Sequence, residues 1–178
     1  MTTEHKVIGG IGLLTFLILG GGIWLLSTQD AAKEAKENKS FVGEKVEATG
    51  NGFHVKRGES HPPYTTNPPS SGPHWGDGVG GAGIHDKEVP DELLVHSLEH
   101  GAAILWYKSD LPQDQVEKLK NAFNDASGKK IMVPRKNLDV PVALTSWGWI
   151  LKLQTIDEAK IKEFIDTNND RAPEKAPI

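Results

Sequence analysis

Val7 to Leu26 reads VIGGIGLLTFLILGGGIWLL, twenty residues with no charge and a single hydroxyl. At 1.5 Å rise per residue a helix of that length spans about 30 Å, the thickness of a bilayer's hydrocarbon core. Residues 1–28 are therefore expected to be a transmembrane helix that acts as an uncleaved signal-anchor. A removable signal peptide competes with this assignment, but the run exceeds the usual h-region of about 7–15 residues. No small-x-small cleavage site comes cleanly after it, and the absence of cysteine excludes a lipoprotein anchor. The flanking lysines leave orientation open. Lys6 precedes the run, while Lys33, Lys36, Lys39 and Lys45 lie beyond it, so a literal positive-inside count keeps the remainder in the cytoplasm.

Residues 29–50 are charged and alanine-rich and read as a solvated spacer, helical in part over Ala31–Asn38. Residues 51–178 amount to about one domain's worth of chain and can bury a core without disulfide or structural metal. Net charge is -4 and no basic block occurs, so nucleic acid is not an expected partner. The absence of cysteine also removes thiolate nucleophiles, iron–sulfur clusters and cysteine zinc sites.

Within that domain Ala102–Tyr107 is an apolar run suited to a buried strand. Asp110-Leu111-Pro112 opens a helix whose inward face is Val116, Leu119, Ala122 and Phe123, closed by Gly128. Ile131–Val133 is a short strand. Val142–Leu153 is a strand or hairpin, with Trp147 and Trp149 on the same side of Gly148. A last helix begins near Asp157 with Ile161, Phe164 and Ile165 inward, and a proline-rich tail after Asn168 is expected to pack loosely. Irregular alternation of strands and helices predicts an α+β fold with a mainly antiparallel sheet and two or three helices. Residues 51–90 are rich in Gly, Pro, His and Ser and show no period. An ordered stretch of that kind is usually functional.

Histidine is the chemical signal. Of seven histidines, His54, His61, His74, His85, His96 and His100 all fall in one segment and none lies beyond His100. Imidazole is the commonest protein ligand for zinc and copper. In a helix His96 and His100 share a face within reach of one ion. In a strand they would stand about 13 Å apart, so metal binding requires a helix or tight turn here, ended by Gly101 before the strand begins. The same letters, HSLEH, match the inverted zinc-peptidase pattern in which Glu99 would activate water. Upstream, Pro68 and Pro69 stiffen the approach to His74 as polyproline II, and Gly72 permits a positive φ.

The string PPSSGPHW, then LVHSLEHGAAILWY, LTSWGW and the Ala172-Pro173-Glu174 ending resemble the bacterial family called domain of unknown function 3105. The resemblance covers most of Gly52–Glu174 and implies no activity. It implies an N-terminal anchor and a domain outside the cytoplasm, which turns the orientation to N-in, C-out. His74, His96, Glu99 and His100 match its motif positions. His61 and Tyr64 lie in their approach, and His85 departs from the pattern.

The expected function is a membrane-anchored extracytoplasmic domain that binds copper or zinc. His74, His96 and His100 would be ligands, His61 or Glu99 the fourth ligand or its orienter, with Tyr64 and Trp75 in the binding loop. Two alternatives stand beside it. One is a metal-free interaction module docking on an envelope protein partner through the rigid loop. The other is a metal-dependent hydrolase using Glu99.

Overall fold

The computed structural model describes the backbone of residues 3–178 and the side chains of residues 17–19 and 21–178. Two compact units result, residues 1–39 and 40–178. The first is one helix, α1 (Thr3–Asn38). Among the described residues no helix is long and apolar enough to cross a membrane. More than half of the apolar run 7–26, where an anchor is expected, lies outside the described side chains.

The second unit is an α+β domain built on a mixed, mostly antiparallel sheet. Its elements are β1 (Glu44–Lys45), β2 (His54–Val55), β3 (His74–Trp75), β4 (Gly83–Ile84), α2 (Asp91–Glu99), β5 (Ala103–Lys108), α3 (Gln113–Asp125), β6 (Lys130–Arg135), β7 (Val142–Ser146), β8 (Trp149–Leu153) and α4 (Glu158–Asn168). The six-stranded sheet has the order β1-β8-β7-β5-β6-β4. β1, β8, β7 and β5 pair antiparallel in turn, while β5–β6 and β6–β4 are parallel. The parallel half stems from the strand–helix–strand run 103–135, because a parallel pair needs a long crossover and α3 supplies it. The domain begins before residue 51, since Glu44 and Lys45 already pair with Ile150 and Trp149.

Alternation along β5 splits the core in two, as successive side chains point to opposite faces. Ala103, Leu105 and Tyr107 pack with Leu119 and Phe123 of α3 and Ile161 and Phe164 of α4. Ile104 and Trp106 face the other way and pack with Leu94 and Leu98 of α2. The two helices with clear apolar stripes thus share one face, and α2 has the other to itself.

Helix α2 ends in a Schellman motif. The Ala102 N–H donates to the Ser97 carbonyl at 2.9 Å and the Gly101 N–H to that of Leu98 at 3.0 Å. Gly101 sits at φ 92°, a conformation a side chain would strain. Its C-terminal turn is therefore fixed before β5 begins, and Leu94 to Glu99 are all buried. Leu94 and Leu98, one turn apart, take the sheet side, leaving His96 and Glu99 free to face something else.

Two sequence expectations change here. Trp147 and Trp149 do not share a direction: Trp149 stacks on Phe41 at 4.7 Å, while Trp147 meets the His74 ring edge-on at 6.3 Å. The reason is that Gly148 (φ 71°) is the hairpin turn between β7 and β8 rather than a strand position. The C-terminal tail is pinned rather than loose. The Glu174 N–H donates to the Glu99 carbonyl (3.1 Å), Lys129 to the Ala176 carbonyl (2.9 Å), and Ile178 packs on the α2 face of the core.

Candidate metal centre

On its far side α2 faces a two-stranded parallel ribbon, β2–β3, in which His54 pairs with His74 and Val55 with Trp75. The loop delivering His74 is held by close backbone approach. A Cβ on Gly50 would lie 2.4 Å from the Gly72 carbonyl carbon, and one on Gly72 would lie 2.7 Å from the Tyr64 ring. The Tyr64 hydroxyl donates to the Pro73 carbonyl at 2.9 Å. Tyr64 is thus a support for the loop, and burial raises its pKa well above the usual tyrosine value. Residues 65–68 form a bend on the approach to Pro69.

His54, His74, His96 and Glu99 each offer one ligand atom, and these atoms all lie within 4.8 Å of one another. This group could hold a metal ion. His74 and Glu99 have no side-chain exposure, whereas His54 is 43% exposed. The protein sets the tautomers. His74 donates Nδ1–H to the Gly72 carbonyl at 2.8 Å, and His96 donates Nδ1–H to the Gly78 carbonyl at 2.7 Å. Each ring is left with a lone pair on Nε2. Gly78 is itself fixed through its neighbour, since the Gly80 N–H donates to the Ser97 hydroxyl (2.8 Å).

Glu99 completes the arrangement. Its Oε1 accepts the Gly52 N–H at 2.6 Å. Its Oε2 lies 2.9 Å from His74 Nε2 and 3.8 Å from His54 Nε2. Yet Glu99 Oε2 and His74 Nε2, although buried and close, make no hydrogen bond with each other or with any other group among the described residues. Lone pairs from a carboxylate and two imidazoles therefore converge where no donor meets them. Leaving a buried polar atom unsatisfied costs about 1–3 kcal/mol, and a cation held between these atoms would satisfy them together. Two ligand atoms 2.9 Å apart, each about 2.0–2.1 Å from an ion, subtend about 90° at it.

The remaining sequence candidates sit elsewhere. His100 caps the end of α2 and its ring lies edge-on to His96 at 4.4 Å. Its nitrogens, however, are turned to the tail: Nδ1–H donates to the Pro177 carbonyl (2.8 Å) and Nε2 faces Glu174 at 3.4 Å. The two rings keep the shared face expected of a helical pair, but the nitrogens of His100 are engaged by the tail instead of the group. With His100 turned away and Glu99 itself among the converging atoms, the inverted-peptidase arrangement does not assemble. His61 bonds the Pro62 carbonyl (2.8 Å) and faces Glu92 at 3.4 Å, outside the group. Trp75 carries the Arg57 guanidinium over its ring at 4.3 Å. His85 is tied to the Gly81 carbonyl at 3.0 Å.

His54 is the residue that sequence reasoning passed over. It lies in an aperiodic stretch, and its partnership with His74 arises from strand pairing across the loop. The one available signal was its membership of the histidine-rich segment.

Burial lowers the His96 pKa below the usual histidine value of 6.5, opposed by the Gly78 carbonyl and assisted by any charge on His100, His74 or His54. The unfolded chain then binds this proton more readily than the fold does. The contribution of neutral His96 to stability is present above about pH 6.5 and is lost as pH falls through the lower folded value. Urea midpoints of the metal-free protein are expected to fall between pH 7.5 and pH 5, and His96→Gln to flatten that slope. An unchanged slope in the variant would remove His96 as its source.

The family described as protein of unknown function (DUF3105) matches residues 54–177. No curated protein and no solved structure matches the chain significantly.

Proposed function

The chain belongs to the DUF3105 family, whose function is unknown, and we propose that its domain binds a single transition-metal ion through His54, His74, His96 and Glu99. The observation that carries this is the buried, unbonded approach of Glu99 Oε2 to His74 Nε2. Both imidazoles with fixed tautomers present Nε2, and the backbone carbonyls that fix them are the outer partners metal-bound histidines ordinarily have. Three imidazoles and one carboxylate, without sulfur, suit Zn(II) or Cu(II) rather than Cu(I).

The chain is expected to take up one equivalent of zinc or copper. His74→Ala is expected to abolish high-affinity uptake, whereas His85→Ala leaves it unchanged. Elemental analysis after gel filtration reads both. Equal metal content in the wild type and His74→Ala would sink the proposal.

We further propose that residues 7–26 tether the domain to a membrane, with the domain on the extracytoplasmic side. The support is the uncharged twenty-residue run and its length. Full-length protein should stay in the membrane pellet through an alkaline carbonate wash. A reporter active only outside the cytoplasm should work when fused after Ile178. Release into the wash, or silence of that reporter, would reject the respective half.

A further inference from the structure

The four candidate ligands divide into three that the fold holds and one that it does not. His74 and Glu99 have no exposed side-chain surface and His96 is 6% exposed, whereas the His54 side chain is 43% exposed. Each enclosed group is oriented by a backbone partner: the Gly72 carbonyl for His74, the Gly78 carbonyl for His96 and the Gly52 N–H for Glu99. Such outer partners fix a ligand's direction, and for a histidine they also raise its basicity. His54 has none. Among the described residues no hydrogen bond reaches its ring, and its Nε2 stands 3.8 Å from Glu99 Oε2.

Its strand is as lightly held. β2 has two residues, of which Val55 is buried and His54 exposed. The His54 ring rests on the other two imidazoles, edge-on to His74 at 4.9 Å and tilted against His96 at 5.1 Å. Behind it lies Gly76, where a Cβ would come within 2.9 Å of the ring, so no side chain braces it from that side. A ligand that solvent reaches, with no partner to keep its orientation, is the one whose bond to an ion opens first. It can swing away on its own side-chain torsions while the other three stay in place. Whatever replaces it must match its surroundings, two imidazole rings and the ion, and a flat, neutral nitrogen heterocycle of the same size does so. Exchange of imidazole for imidazole breaks one metal–nitrogen bond and makes another, with the charge of the centre unchanged.

We propose that His54 is the exchangeable ligand of this centre, and that the ion is received and handed on through that position by exchange with an imidazole from outside the chain. This rests on the metal-binding reading and adds the route by which the site trades its ion. His74, His96 and Glu99 hold the ion until the incoming imidazole is bound.

The test uses the full chain loaded with Co(II) and cleared of free metal by gel filtration. Free imidazole, and a short end-blocked peptide with one internal histidine, serve as separate probes. In the wild type a probe is expected to shift the visible Co(II) bands saturably, and to speed transfer of the ion to a colorimetric chelator as its concentration rises. His54→Gly should still take up Co(II), about tenfold or more weakly, and added imidazole should restore the wild-type bands. His74→Gly should not be restored, because its missing ring lies where no side-chain surface is exposed. Exchange with both probes assigns the donor to a partner protein's histidine, and exchange with imidazole alone to a small free molecule; either supports the proposal. Transfer from the wild type at one rate whatever the probe concentration would overturn exchange at His54 and leave the metal centre standing. So would a His54→Gly variant that imidazole does not restore, or one that binds Co(II) as tightly as the wild type. A wild type that takes up no Co(II), zinc or copper would overturn both.

Discussion

Glu99→Gln is expected to make the metal-free protein more stable and at the same time to deprive it of its metal. The wild-type carboxylate is buried, with Oε1 bonded to the Gly52 N–H and Oε2 facing His74 Nε2 without a hydrogen bond. A glutamine keeps the first contact through its carbonyl oxygen. Its amide N–H can then donate to the Nε2 lone pair that the Gly72 carbonyl fixes in place. Removing a buried charge and giving the His74 acceptor a donor is worth about 1–3 kcal/mol. For a domain of this size that is a rise of a few degrees in Tm. Metal affinity should fall by about 100-fold or more, because a neutral amide replaces the one anionic ligand. The two effects have opposite signs, which a purely structural Glu99 would not produce. Loss of apo stability in Glu99→Gln, with metal affinity unchanged, would mean that the carboxylate serves the fold alone.

The largest stability effect is expected at Trp106. It is 1% exposed, lies on the central strand β5, and packs on the face that seats Leu94 and Leu98 of α2. Its indole N–H donates to the Thr145 hydroxyl at 2.8 Å in the interior. Trp106→Ala opens a cavity that costs about 3–5 kcal/mol, and strands the Thr145 hydroxyl for about 1 kcal/mol more. A loss of about 10 °C or more in Tm is the expected order. Because α2 carries His96 and Glu99, metal affinity should fall with it, and Trp106→Phe should restore most of both. A Trp106→Ala variant that melts within about 2 °C of the wild type would contradict the two-faced core.

These elements differ in how plainly the sequence announced them. The α3 stripe Val116, Leu119, Ala122 and Phe123 is buried as its period requires. So are Ile161, Phe164 and Ile165 of α4, which is capped by the Asp157 carboxylate bonding the Lys160 N–H. Their legibility comes from amphipathic helices packing on one sheet face, where local period and tertiary burial agree. Helix α2 is buried on nearly all sides, so its period carries less information, and what betrayed it was Gly101. The parallel pairing of β5 with β6 was readable in principle from the intervening helix, but Ile131–Val133 alone is too short to show direction.

The site was legible only in part, for reasons of the same kind. His74 and His96 stood out through their rigid loop and helix. Glu99 stood out as the acid between two histidines, although whether as ligand or orienter was open. His100 looked equivalent to His96 by spacing, yet one residue past the helix end its ring nitrogens turn to Pro177 and Glu174. His54 enters through the parallel pairing of two two-residue strands, a contact between distant parts of an aperiodic segment. No local pattern encodes such a contact.

The claim that these four side chains hold one ion is tested most directly by an anomalous difference map, collected at the zinc or copper edge, from crystals of the metal-loaded protein. The account predicts a single strong peak about 2.0–2.2 Å from His74 Nε2, His96 Nε2 and Glu99 Oε2. His54 should be drawn in as the fourth protein ligand. A peak between His100 and Glu174, or no peak in the α2–ribbon interface of a crystal shown to contain stoichiometric metal, would contradict it.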